Sequence, residues 1–270
     1  MSDALDRSKL RTYTNARVGL RRAGTSLATS ELLDMAQCLA EARDAVHTEL
    51  STVSLLPHLA ERGLQALSLK SAARNRAEYL RRPDLGRQLS AGSRTLLEQT
   101  EAKPGSLVIV IADGLSAIAA ERHALPLLDA LLGSFISGAA ENTEFGEPTQ
   151  SQNRALNGPP SGWAIGPVVI AEQARVAIGD EIGELLQAEV MLLLIGERPG
   201  LSSPDSLGAY ITWAPHVGRS DAERNCISNI RPEGLSYSLA ARKIAGYLRE
   251  ARRHQLTGVA LKEDLPQIEG

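Results

Sequence analysis

Apolar positions follow two different patterns along the chain, and the change comes at Lys103-Pro104-Gly105. Up to about Thr100 they recur at helical spacing. Ser30 can cap a helix with Leu32, Leu33, Ala36, Leu39, Ala40 and Val46 on its apolar face. A second helix carries Leu69, Ala72, Ala73, Ala77 and Leu80 and meets Pro83. The third runs from Asp84 toward Glu98, with Leu85, Leu89, Leu96 and Leu97 inward. No strand is expected before residue 100.

Beyond the boundary the apolar residues form unbroken runs of strand length, the mark of strands buried on both faces. These runs are Leu107–Ala112, Pro167–Ala171 and Val190–Ile195, and Tyr210–Trp213 reads as a fourth strand. Helical stretches lie between and after them. One passes through Leu125, Leu128, Leu131 and Leu132, where Pro126 kinks or splits it; another carries Ile178, Ile182, Leu185 and Leu186. Asp180, Glu181 and Glu184 suit the start of that second helix. Ser236 caps a last long helix that ends in Arg249, Arg252 and Arg253. Alternating strands and helices predict an α/β fold, with a helical region over 1–103 ahead of a doubly wound, mostly parallel sheet over 104–270.

Composition narrows the function. With 270 residues and a net charge of −3, nothing global points to nucleic acid, and 3 % aromatic residues leave little for base stacking. The only cysteines, Cys38 and Cys226, do not make a disulfide framework. No leader or membrane-spanning run is recognised, so a cytoplasmic protein is expected. Phosphate-binding glycine loops, clustered His/Cys ligands and a G-x-S-x-G turn are absent, and neither a metal site nor a catalytic residue is assigned.

In open parallel sheets, ligands bind beyond the carboxyl ends of strands. Two acidic, glycine-flanked turns stand there: Asp113-Gly114-Leu115-Ser116 and Gly196-Glu197-Arg198-Pro199-Gly200. Their carboxylates can serve acid–base work, or accept hydrogen bonds from a ligand's amides or from loop N–H groups. Val176 lies at a loop-to-helix junction, as cover for the helix end or as a ligand contact. Cys226 is a packing residue, a ligand wall, or a nucleophile whose thiolate Arg219, Arg224 and Arg231 would favour.

Taken in order, several segments resemble the small (light) subunit of ethanolamine ammonia-lyase. They are Ala16-Arg17-Val18, Tyr79 to Arg87, Asp113 to Ser116, Arg175-Val176 to Glu184, Gly196 to Gly200, and Asn225-Cys226-Ile227-Ser228-Asn229. The resemblance implies a helical N-terminal part and a Rossmann-like domain forming one side of an adenosylcobalamin pocket against a large catalytic subunit. Val176, Glu197 and Cys226 match the family's cobalamin contacts, with Arg175, Arg198 and Asp113 as further candidates. The chain has no D-x-H-x-x-G motif, so the implied cofactor keeps its own base on cobalt. A hetero-oligomer of several αβ pairs is implied, without nucleic acid or membrane. Some relatives are housed in bacterial microcompartments by an N-terminal extension, for which this chain has little room. Arg21 stands where the family commonly has Gly, and residues 141–166 match poorly. Two rival readings stay open: a docking partner that touches no cofactor, and a self-sufficient enzyme using Asp113, Glu197 or Cys226.

Overall fold

The computed structural model describes residues 17–141 and 163–261. Ala16 of the first resembling segment and most of the poorly matching residues 141–166 lie outside them. Short strands β1 (Arg22–Ala23) and β2 (Ser26–Leu27) form a hairpin, followed by helices α1 (Thr29–His47) and α2 (Thr52–Glu61). Next come β3 (Ala66–Lys70), α3 (Arg76–Arg81), α4 (Ala91–Glu98), β4 (Ser106–Ala112) and α5 (Ala117–Glu141). The chain resumes with β5 (Ala164–Glu172), α6 (Ile178–Leu185), β6 (Ala188–Gly196), β7 (Leu207–Trp213), β8 (Asn225–Ile230) and α7 (Tyr237–His254).

Six strands make one sheet in the order β3-β5-β4-β6-β7-β8. The first four are parallel, and β7 and β8 continue antiparallel. All seven residues of β4 are buried, because successive side chains enter cores on opposite faces. Leu107, Ile109 and Ile111 pack with α2, α5 and α7, whereas Val108, Val110 and Ala112 pack with α4 and α6. Helices therefore cover both faces, as the run lengths predict. At roughly 1.5–3 kcal/mol for each large aliphatic side chain buried, these central strands carry much of the folding energy.

Several expectations change. The N-terminal region does supply a strand: β3 pairs in parallel with β5, Leu69 opposite Ala171. Asn75 accepts from the Glu78 N–H at 2.9 Å and starts α3 only at Arg76, so Leu69, Ala72 and Ala73 precede that helix. The third predicted helix is a short 3-10 turn at Leu85–Arg87 followed by α4. A further edge strand, β8, occupies a stretch read as polar loop; Ile227 and Ile230 point inward and Cys226 and Ser228 outward. Finally, Leu32, Leu33 and Leu39 of α1 are 45 %, 67 % and 53 % exposed, while Glu31 and Ala45 are its buried residues. Helix α5 runs unbroken through Pro126.

Candidate functional site

The carboxyl ends of β4 and β6 press against each other. Gly114 has φ +53°, and a Cβ there would lie 2.1 Å from the Gly196 carbonyl oxygen. A Cβ on Gly196 would lie 2.0 Å from the Ser116 carbonyl oxygen. Only glycine allows this approach, which the Leu115 N–H seals by donating to the Gly196 carbonyl at 3.0 Å. The two acidic turns are thus brought together, yet their carboxylates meet different surroundings.

Asp113 is wholly buried. Its Oδ2 accepts from the Gln173 N–H at 2.8 Å and from Arg76 Nη1 at 3.0 Å, and its Oδ1 accepts from the Ala174 N–H at 2.9 Å. Burial pushes its acid up to about 6 against the opposing pull of Arg76 and these N–H groups. Arg76 also donates to the carbonyls of Gly114 and Val46, at 2.9 and 2.7 Å. The Tyr79 hydroxyl lies 2.8 Å from the Gly114 carbonyl and 3.0 Å from that of Ala174. Asp113 faces the protein's own backbone, and what it fixes is the 173–176 loop that presents Val176.

Glu197 is half-buried at the end of β6. Its Oε2 accepts from the Ser206 hydroxyl and, at 3.2 Å, from the Asn229 N–H. Oε1 takes no hydrogen bond from the described residues and stays available to an outside donor. The carboxylate lies over Gly208, where a Cβ would come 3.0 Å from Oε1. Two residues along β7 on the same face stands Tyr210, the register partner of Cys226. Burial, and then the neighbouring thiol, push the Tyr210 phenol above its ordinary value. Cys226 is exposed, with Sγ 3.4 Å from the Ser228 hydroxyl. Val176 packs on the same side of the sheet, against the α6 core, and is half-buried.

Of the six residues singled out from the sequence, Val176, Glu197 and Cys226 lie on the α6 side of the sheet, Val176 between β5 and α6, Glu197 just after β6 and Cys226 on β8. Arg198 is exposed nearby, and the Arg175 guanidinium stacks 4.5 Å over the Tyr79 ring. The arginines expected to activate Cys226 are engaged elsewhere. Arg224 makes a buried two-bond pair with Asp180 at 2.6 and 2.7 Å, Arg231 pairs with Asp205, and Arg219 with Glu223. Sequence reasoning missed Gly208, Tyr210 and Asn229. Tyr210 opens a strand read from the sequence, and Asn229 closes one of the resembling segments.

Fold and site together define a doubly wound α/β protein that offers an open, mixed polar and apolar surface on one sheet face. The ethanolamine ammonia-lyase light chain (EutC) family model matches residues 5–152 and 136–262. Among curated relatives, the ethanolamine ammonia-lyase small subunit of Azotobacter vinelandii is 50 % identical over 259 residues, covering 95 % of this chain and 87 % of that protein. The small subunit of Pseudomonas putida F1 is 50 % identical over 258 residues, covering 94 % and 86 %. That of Pseudomonas fluorescens SBW25 is 48 % identical over 259 residues, covering 95 % and 85 %. The chain belongs to the ethanolamine ammonia-lyase light chain family. The two matched segments overlap over residues 136–152.

Proposed function

We propose that this chain is the cofactor-holding small subunit of an adenosylcobalamin-dependent ethanolamine ammonia-lyase, active only with a large subunit that carries the chemistry. The observation that carries this reading is the family match over nearly the whole chain. The side chains fit the cofactor's chemistry. Corrin is a broad apolar ring system fringed with amides, and it calls for a carboxylate with a free oxygen beside flat apolar contacts. Glu197 Oε1 would accept from an amide, while Val176 and Cys226 would give close apolar contact.

Adenosylcobalamin, when held by Glu197, Val176 and Cys226, would supply radical chemistry. This chain's residues bind and orient; none takes a proton from substrate. Asp113 is left out of the binding set because both its oxygens are engaged within the chain. Arg198 and Arg175 remain as charged flanks of the surface. The exposed leucines of α1 suit a partner's cover, consistent with relatives that are named small subunits. An assembly of several αβ pairs in the cytoplasm, or enclosed in a microcompartment, completes the reading. No helix among the described residues is long and apolar enough to cross a membrane.

The test is to express the chain alone and together with the large subunit of the same organism, then add adenosylcobalamin and ethanolamine. Acetaldehyde and ammonia are expected from the pair only. Turnover by this chain alone would overturn the reading, and so would an active large subunit that gains nothing from it.

A further inference from the structure

We propose that Arg231 is a positioning residue for Glu197, holding its carboxylate so that Oε1 faces the cofactor. The proposal rests on the reading of Glu197 as the amide acceptor. Glu197 opens a loop that Ser206 closes: the Glu197 N–H donates to the Ser206 carbonyl at 2.9 Å, and the Ser206 hydroxyl reaches back to Oε2. Nothing in that loop alone settles which way the carboxylate turns. The second donor to Oε2 does, and it is the N–H of Asn229, from the last turn of β8. Asn229 has φ +60°, a left-handed conformation that its neighbours must hold in place.

The Leu235 N–H holds the Asn229 carbonyl at 2.7 Å, and Arg231 holds the Asn229 side chain. Arg231 is only 7 % exposed. Its Nε donates to Asn229 Oδ1 at 3.2 Å and its Nη2 to the Ser202 carbonyl, at the tip of the Glu197 loop, at 3.1 Å. Its Nη1 lies 3.6 Å from Asp205 and 3.9 Å from Glu233. Asp205 is itself held by Arg122 at 3.1 Å. One rigid guanidinium therefore ties the loop tip, the loop base and Asn229 into a single unit, a task suited to its planar fork. With Oε2 filled from two sides, Oε1 is the oxygen left for an outside N–H.

The experiment is a double-mutant cycle read as the affinity of the two-subunit complex for cyanocobalamin, measured by the cofactor's visible absorbance after equilibrium dialysis. Arg231→Met is expected to weaken binding about tenfold, the order found when a partner that orients a binding group is removed. In a Glu197→Ala background the same change is expected to weaken it less than about twofold. Arg231→Lys should restore part of the loss, since an ammonium reaches Asp205 or Ser202 but cannot fork to Asn229 as well. Asn229→Gly can still adopt the left-handed backbone but loses the side chain through which Arg231 holds it, so its N–H is no longer fixed on Oε2. It should repeat the Arg231→Met effect in a complex whose folding is undisturbed. Equal losses with and without Glu197, or no loss from either variant, would overturn the positioning role. A Glu197→Ala complex that binds cyanocobalamin like the wild type would overturn the acceptor reading itself, a result told apart by that single mutant.

Discussion

Asp113 and Glu197 stand just beyond β4 and β6, parallel neighbours in which Ala112 and Ile195 are register partners. Each carboxylate follows an apolar run, adjoins a glycine, and receives at least one backbone N–H. They differ in what lies above them. α3 and the 173–176 loop close over Asp113 and supply Arg76 and two N–H donors. Over Glu197 the antiparallel strands carry the sheet onward under an open face, and Gly208 removes the side chain that would crowd it. Position at a strand end therefore marks a place where chemistry is possible. Whether a carboxylate serves the fold or a ligand is decided by how many of its lone pairs the chain has already filled.

The comparison breaks first on stability. Asp113→Ala leaves Arg76, the Gln173 N–H and the Ala174 N–H without their acceptor in a dry site. A loss of about 3–5 kcal/mol is expected, the usual cost of removing one partner of a buried charged pair. Denaturant unfolding of the chain measures it. A loss below about 1 kcal/mol would mean that water reaches the site and that the contrast with Glu197 is false.

The second test sharpens the contrast through pH. The Asp113 acid is held up at about 6, against 3.8 in the unfolded chain, so between those values the folded state binds more of its proton. Its contribution to stability is accordingly full at about pH 4 and falls as pH rises through 6. Asn cannot titrate, so wild type should lose ground relative to Asp113→Asn between pH 4 and pH 7, by at most about 2–3 kcal/mol. Unfolding curves at both pH values give the difference. A gain for wild type with rising pH would show that attraction to Arg76 outweighs burial.

Glu197→Ala should reverse the pattern. Its two hydrogen-bond donors face water once it is gone, so stability should change by about 1 kcal/mol or less. Cofactor affinity of the two-subunit complex should fall about tenfold, the loss of one charge-assisted hydrogen bond. Cyanocobalamin binding and a melting curve on the same sample separate the two effects.

That asymmetry was only half visible in the sequence. Continuous runs exposed β4, β5 and β6, because strands buried on both faces cannot hide their composition. The edge strands were hidden: Leu67 and Leu69 in β3 and Ile227 and Ile230 in β8 face a core on one side only, and their polar neighbours read as loop or helix. The surplus leucines of α1 read as core because sequence spacing cannot say whether a face is covered by this chain or by another. The proposed contacts Val176, Glu197 and Cys226 were chosen from position and family resemblance. The partner of Asp113 was not legible, since Arg76 comes from 37 residues upstream and nothing in its local sequence marks it as buried. Likewise Arg231 drew notice as a neighbour of Cys226, although its guanidinium turns toward Asn229 and Asp205.

Cys226 gives the smallest effect and the finest test of which face is in use. Its thiol is exposed, on the edge strand, with the Ser228 hydroxyl and the Tyr210 phenol as polar neighbours. Cys226→Ala removes a single sulfur from an uncovered surface, so stability should stay within about 0.5 kcal/mol of wild type. If the cofactor lies along the face that Tyr210, Glu197 and Cys226 share, losing that contact should weaken cyanocobalamin binding by about two- to fourfold, as for one apolar group of this size. Cys226→Trp, which would stand proud of the same face, should weaken it far more while leaving melting unchanged. Binding that ignores both substitutions would place the cofactor off this strand. Glu197 would then have to be approached from the loop side, across Arg198, and not along β7 and β8.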